Sequence, residues 1–332
     1  MRRRHVIGLI GGAMLSPLAA RAQRAAGRHL AIFSPFEPAA VMRENSESRY
    51  YAALFAELRR LGHVEGENLA VDRCGRERGS AGAAALVTEI INSKPDVVYV
   101  VGVGAKLFQQ ATSRIPIVTL TGDPVAQGLI RTLAHPGGNI TGVSVDTGPS
   151  IYGKRIALLR EMFPKLAKLA CVTLRSQWEG GQGHDIHDAG EAAGIDLIAS
   201  LVDAPTGEVA YREAIARAQR RGANGLMVGE NPDSTANRAV IAALIADAAM
   251  PAIYPFAEFV EAGGLMAYAF DAVELSKRAA DNIDAILRGA DPGDIPFYQA
   301  TKFELSLNLK AARSLGLAVP ATLLASADEV VE

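Results

Sequence analysis

Val97-Val98-Tyr99-Val100-Val101-Gly102-Val103-Gly104-Ala105 is the stretch that decides the fold. Its first five residues are apolar, mostly β-branched, and show no polar alternation. Such a run reads as a strand covered on both faces. A turn of small residues follows and opens a helical pattern. Strand, small-residue turn and helix in that order form the unit of a parallel sheet flanked by helices.

The same unit recurs on either side. Upstream, the pattern predicts strands over 29–33 and 69–72, with helices over 51–58 and 82–92; Gly62 stops the first helix. Downstream, strands are predicted over 115–120 and 140–145, the latter entered through Pro136-Gly137-Gly138-Asn139. The pattern then restarts. A helix over 151–162 precedes strands over 169–174, 197–202, 225–228, 252–254 and 265–268, with helices over 211–221 and 238–249 among them. Two successive α/β sets imply two doubly wound parallel-sheet lobes. Crossings are expected at 144–150, between Tyr268 and a helix over 274–287, and at 296–301. This gives a hinged α/β clamshell. One lobe is 28–146 plus about 271–296, the other 147–270 plus about 297–332, and the cleft lies at the strand ends.

The amino terminus carries a leader pattern over 1–22. Arg2, Arg3 and Arg4 precede an apolar stretch over 6–20, and Ala20-Arg21-Ala22 offers a small-x-small cleavage site before Gln23. The arginine pair and the glycine-bearing core fit the twin-arginine route. The apolar run is shorter than the roughly 18–20 residues of a membrane span. A cleaved, periplasmic protein is expected. Without the four leader arginines, the 34 basic residues fall to 30 against 36 acidic, a net charge of −6. That balance argues against a nucleic-acid partner, which selects a basic face. Cys171 falls in a strand-like stretch and Cys74 just after another, and they read as two buried or semi-buried thiols rather than a bridge.

No GxxxxGK[ST], HExxH, GxSxG or CxxC motif occurs, and Leu107 stands where a GxGxxG fingerprint needs its third glycine. No cofactor, metal or catalytic residue is expected. His184 and His187, beside Asp185 and Asp188, have helical ligand spacing, yet Gly180-Gly181-Gln182-Gly183 reads as a loop leading into a solvated helix. The candidate residues are those at the turns after strands. Gly102, Val103, Gly104 and Ala105 follow the third strand, Gly122 and Asp123 the fourth, and Glu230 a strand of the second lobe. In a doubly wound sheet these turns share the carboxyl edge, where helix-start amides can hold an anion and small residues let a ligand approach the backbone. Equally, they can simply connect strand to helix. Ser34, Asp146, Tyr254, Glu258 and Asp271 lie at further strand ends or crossings. Arg175 could pair with a carboxylate or be a surface charge; Trp178 could stack on a ligand or cover its loop.

Several motifs together carry a resemblance. They are the leader, Leu61-Gly62-His63-Val64-Glu65-Gly66-Glu67-Asn68, Gly122-Asp123-Pro124-Val125, Pro136-Gly137-Gly138-Asn139-Ile140-Thr141-Gly142-Val143, Ala262-Gly263-Gly264-Leu265-Met266-Ala267-Tyr268, Thr301-Lys302-Phe303-Glu304-Leu305 and Ala325-Ser326-Ala327-Asp328-Glu329-Val330. Over nearly its whole length the chain resembles the tryptophan/tyrosine-type substrate-binding proteins of ABC transporters, a branch of the type 1 periplasmic binding proteins. The resemblance implies a monomeric clamshell that captures a small-molecule solute, an amino acid or related carboxylate, and delivers it to an ABC permease in the inner membrane. It implies no catalysis. Two stretches depart from the family pattern, Arg175-Ser176-Gln177-Trp178-Glu179 and Ala269-Phe270-Asp271, and both border the expected cleft. Two other classes share such a fold pattern. A ligand-sensing regulatory domain would need an attached DNA-binding or signalling module, and an exported α/β hydrolase would need a nucleophile at a strained turn.

Overall fold

A computed structural model describes the protein over residues 27–35, 37–75, 82–102, 104–145, 150–203 and 206–332. The leader, Val103 and Asp146 lie outside the described residues. The first α/β set comprises β1 (Arg28–Phe33), α1 (Arg49–Arg60), β2 (Leu69–Cys74), α2 (Ala83–Asn92), β3 (Val97–Val101), α3 (Ala105–Ala111), β4 (Ile117–Thr121) and β5 (Ile140–Ser144). The second runs through α4 (Ser150–Met162), β6 (Lys168–Leu174), the short α5 (Arg175–Gln177), α6 (Gly183–Ala192), β7 (Asp196–Val202), α7 (Glu208–Arg220) and β8 (Gly225–Val228). It continues through α8 (Pro232–Ala236), α9 (Arg238–Asp247), β9 (Ala252–Tyr254), α10 (Ala257–Glu261) and β10 (Met266–Phe270). The remainder holds α11 (Ala272–Leu287), β11 (Tyr298–Gln299), β12 (Phe303–Asn308), α12 (Leu309–Ser314), α13 (Ala321–Ser326) and β13 (Glu329–Val331).

These strands form two sheets, ordered β11-β5-β4-β3-β1-β2 and β13-β12-β10-β9-β8-β6-β7. Every pair is parallel except β10 with β12. The α/β class with two doubly wound sheets is therefore as expected. The apolar run β3 is central to the first sheet, and its first four residues are buried. α1 buries Tyr51, Leu54, Phe55 and Leu58, one helical stripe, in the same apolar cluster as Leu275, Ala279, Ile283 and Leu287 of α11. Gly62 ends α1 with a φ of 96°, a conformation that glycine adopts without steric cost.

α11 thus packs on the first sheet although it follows β10 of the second. The chain passes between the sheets after β5, after β10 and after β11. The last passage follows Gln299, because Tyr298 and Gln299 pair with Val143 and Ser144 of β5 before the chain enters β12 at Phe303. Each passage leaves a carboxyl strand end, so the carboxyl edges of the two sheets lie next to one another.

Three details differ from the sequence reading. β4 begins at Ile117 rather than 115, because the Thr112 hydroxyl accepts from the Arg114 and Ile115 amides and holds that turn out of the ladder. The stretch over 180–183 is not a loop: Trp178–Gln182 forms a π turn, kinked at Gly181 (φ 117°), that runs into α6. β12 and β13, unforeseen as strands, extend the second sheet beyond β10. Both cysteines are free and buried, and burial pushes the Cys171 thiol up to about 12.

Candidate functional site

The carboxyl edge of the first sheet is built from the turns after β1, β3 and β4. Ser34 is fully buried; its amide donates to the Cys74 carbonyl at 3.0 Å, and its side chain lies beside the Tyr51 hydroxyl. Gly102 takes a φ of 81° and donates to Leu120 O at 2.7 Å, which closes the turn after β3. Gly104 and Ala105 do not line an opening. A Cβ on Gly104 would meet the Phe33 ring at 2.6 Å and Val100 at 3.1 Å, and Ala105 is 1% exposed. The glycine lets α3 start against the lobe's own core, which corrects the expectation that its missing side chain makes room for a ligand. The Gly122 carbonyl accepts from the Ser144 hydroxyl, and Asp123 uses one carboxylate oxygen to accept from the Val125 and Ala126 amides.

In the second lobe several expected residues are already engaged. Arg175 makes a two-point ion pair with Asp203 at 2.7 and 3.0 Å, and is half exposed. Trp178 lies over the apolar cluster beneath α4, with Gly183 against its ring. Tyr254 does not face the edge: it is 1% exposed and stacks on Phe259 inside the lobe. Asp271 caps α11 through the Glu274 amide at 2.9 Å and pairs with Lys302 at 2.6 Å. Burial pushes its carboxyl up, but the Lys302 ammonium and the Glu274 amide outweigh that and hold it below the usual value. Asp271 is therefore a tie between the second and third passages rather than a free ligand group.

Glu230 and Glu258 remain available in part. Glu230 accepts from Arg155 at 3.0 Å and keeps 21% side-chain exposure. Arg155, on α4, is fully buried. It donates to the Tyr268 carbonyl at 2.9 Å and the Pro255 carbonyl at 3.3 Å, and its guanidinium lies over the Tyr152 ring. It thereby ties the middle of β10 to the residues that follow β8 and β9, while its Nη1 has no partner among the described residues. One buried oxygen of Glu258, Oε2, also has no partner. Burial raises this carboxyl; its own amide and Arg49 act to lower it, and Glu261 and Glu37 to raise it.

Arg49 and Glu37 belong to the first lobe, so Glu258 sits where the lobes meet. Two residues before it, Phe256 packs against the apolar clusters of both lobes. Arg49 reaches across to Glu304 on β12 at 4.0 Å, yet its Nε is buried and unpartnered. Beside it, Ser48 occupies the position preceding α1, where a serine ordinarily caps the helix amides. Its side chain makes no cap bond, and its buried Oγ is unpartnered. Sequence reading missed Arg49, Ser48 and Arg155. The serine-helix boundary was a usable signal for the first two, whereas nothing local marks Arg155 as buried.

Two features lie away from these edges. A hollow of about 680 Å³, lined among others by Arg28, His63, Asn68 and Arg288, sits at the amino end of β1 and the carboxyl ends of α1 and α11. His187, Asp188 and Glu191, all exposed on α6, bring ligand atoms within 4.8 Å of one another. Among the described residues, no helix is long and apolar enough to cross a membrane.

Comparison with known proteins places this architecture. A tyrosine-binding protein of Clostridioides difficile is 22% identical over 259 residues, covering 77% of this chain and 73% of its own. A Streptococcus pneumonia ABC domain solved in complex with L-Trp superposes with a TM-score of 0.79 at 19% identity, covering 92% of this chain and 100% of that one. A ligand-free, open substrate-binding protein with adhesive properties from Clostridium difficile gives 0.69 at 18% identity, over 92% and 99% of the two chains. These structural likenesses show the two-lobed fold of type 1 periplasmic binding proteins. The model of the ABC transporter substrate binding protein family matches residues 39–331, nearly the whole described chain, and the protein belongs to that family.

Proposed function

We propose that the protein is an exported solute receptor that holds an amino acid or related carboxylate between its lobes and delivers it to an ABC permease in the inner membrane. One observation carries this reading. Charged groups of both signs, contributed by both lobes, each keep one buried atom without a partner among the described residues: Arg49 Nε from the first lobe, Glu258 Oε2 and, on the fully buried Arg155, Nη1 from the second. A buried charged atom without a partner is costly. A small solute bearing its own charges offsets that cost when the lobes hold it. The relatives named for tyrosine and solved with tryptophan support an amino acid as that solute. The leader pattern before Gln23 supports export.

A thermal-shift screen of the mature protein against amino acids, aromatic acids, nucleosides and sugars tests the reading. A solute at a thousand times its Kd stabilises the folded state by about 4 kcal/mol. An amino acid or related carboxylate is expected to raise the melting temperature. A response confined to sugars or nucleosides would overturn the carboxylate class. Export is tested separately. Arg3→Lys with Arg4→Lys should leave precursor in the cytoplasm; undiminished export would instead assign the general secretory route.

A further inference from the structure

Among the described residues, four buried side-chain atoms without partners belong to residues at or bonded to the adjoining carboxyl edges. They are Ser48 Oγ, Arg49 Nε, Glu258 Oε2 and Arg155 Nη1, two from each lobe. Their chemistry is sorted by lobe. On the first lobe stand a guanidinium and a hydroxyl, adjacent in sequence at the start of α1. The first amides of a helix have no intrahelical acceptors, and its dipole favours negative charge there. Ser48 spends none of its hydroxyl on that helix start. On the second lobe Glu258 offers a carboxylate oxygen that Arg49 influences but does not bond. The Arg49 guanidinium stands 4.0 Å from Glu304 and lies over the Tyr50 ring, so it is steered without being consumed.

Direct closure of Arg49 onto Glu258 would satisfy both charges and leave no role for a solute; in this structure the two act on one another only at a distance. We infer that the pair is a zwitterion clamp: Arg49 and Ser48 take the α-carboxylate of an amino acid, and Glu258 takes its α-ammonium. This deepens the proposed function and rests on it. The sorting by lobe makes the clamp a closing device as well, because a solute with only one of the two charges engages only one lobe. Arg155 has a different part. Fully buried and bonded to β10 and to the residues after β8 and β9, it is a positioning residue for Glu230 and the loop that leads to Glu258.

The experiment pairs ligand groups with protein groups. Calorimetry of the mature protein with each of the twenty amino acids identifies a binder. The decisive probes are that amino acid's deaminated acid and decarboxylated amine; for tyrosine they are 3-(4-hydroxyphenyl)propanoate and tyramine. Wild type should lose about 10- to 100-fold in affinity for each probe, the range of a hydrogen bond to a charged group. Glu258→Gln should lose a similar factor for the amino acid, with no further loss for the deaminated acid. Arg49→Gln should show the same pattern with the amine. A merely structural Glu258 would change melting temperature and leave the preference for the ammonium intact, and that outcome overturns the clamp. Equal affinity of wild type for the amino acid and its deaminated acid also overturns it. If no amino acid binds but a sugar or nucleoside does, the clamp fails and the receptor reading survives. If nothing binds, both fail.

Discussion

Gly104 shows how little room a residue of this fold has. Its Cα faces Phe33 and Val100, so Gly104→Leu forces a branched side chain into a filled core. Overpacking of this kind costs about 1–3 kcal/mol. The melting temperature of the free protein should fall accordingly, and an unchanged value would place the side chain outside the core. Gly142 is tighter still, since a Cβ there would overlap the Thr119 backbone of the neighbouring strand β4. Glu258 makes the opposite prediction. Burial raises its carboxyl, with Arg49 opposing and Glu261 and Glu37 adding to the rise. A carboxyl raised in the folded state favours folding most below its unfolded value, and that contribution is lost as pH rises through the folded value. Glu258→Gln should therefore melt higher than wild type at neutral pH. The gain should vanish as pH falls below the ordinary glutamate value near 4.5. A lower melting temperature at neutral pH would mean that the charged form is stabilised by contacts beyond Arg49.

At the scale of elements, α11 shows how a helix can belong to one lobe while its cap belongs to the hinge. Asp271 accepts from the Glu274 amide and pairs with Lys302, and its own amide donates to the Lys302 carbonyl. One carboxylate thus starts α11 and ties the passage after β10 to the passage after β11. Below these, Tyr298 donates to Glu274 at 2.8 Å and lies under the Arg278 guanidinium. Asp271→Ala removes both cap and ion pair; loss of an aspartate cap alone costs about 1 kcal/mol. Asp271→Asn keeps an oxygen for the cap and removes the charge. The folded carboxyl is lowered, so its contribution is present above the usual value near 3.8 and is lost as pH falls through the lowered one. Denaturation of Asp271→Asn should show a deficit at pH 7 that closes in acid. A deficit independent of pH would assign the effect to packing.

At the scale of the whole molecule, three passages at adjoining edges make a hinge of short, parallel connections, which favours rotation of one lobe against the other. A compact chain of about 310 residues has a radius of gyration of about 19–20 Å. Small-angle scattering of the free mature protein should exceed that value, and saturation with a binding amino acid should bring it down. An identical radius with and without the amino acid would argue for rigid lobes.

The type and order of the elements were legible in the sequence because their signals are local. Runs such as Val97–Val101 and stops such as Gly62 act within a few residues, and their alternation alone implied two parallel sheets. β11 and β13 escaped, since two- and three-residue strands carry no period of their own; the six-residue β12 was missed although Phe303-Glu304-Leu305-Ser306-Leu307 alternates apolar and polar. The candidate site was legible only as an edge. Sequence order placed Glu230 and Glu258 after strands, but could not reveal that Arg175 is matched by Asp203, Asp271 by Lys302, or that Tyr254 turns inward. Those outcomes depend on pairings between distant segments and on which face of a turn meets the core. The sequence by itself determined the fold and family resemblance, because periodicity and turn chemistry are written in neighbouring residues. Only the tertiary structure decided that Arg49, Ser48 and Glu258 keep buried atoms without partners, because burial and charge balance are properties of what packing brings together.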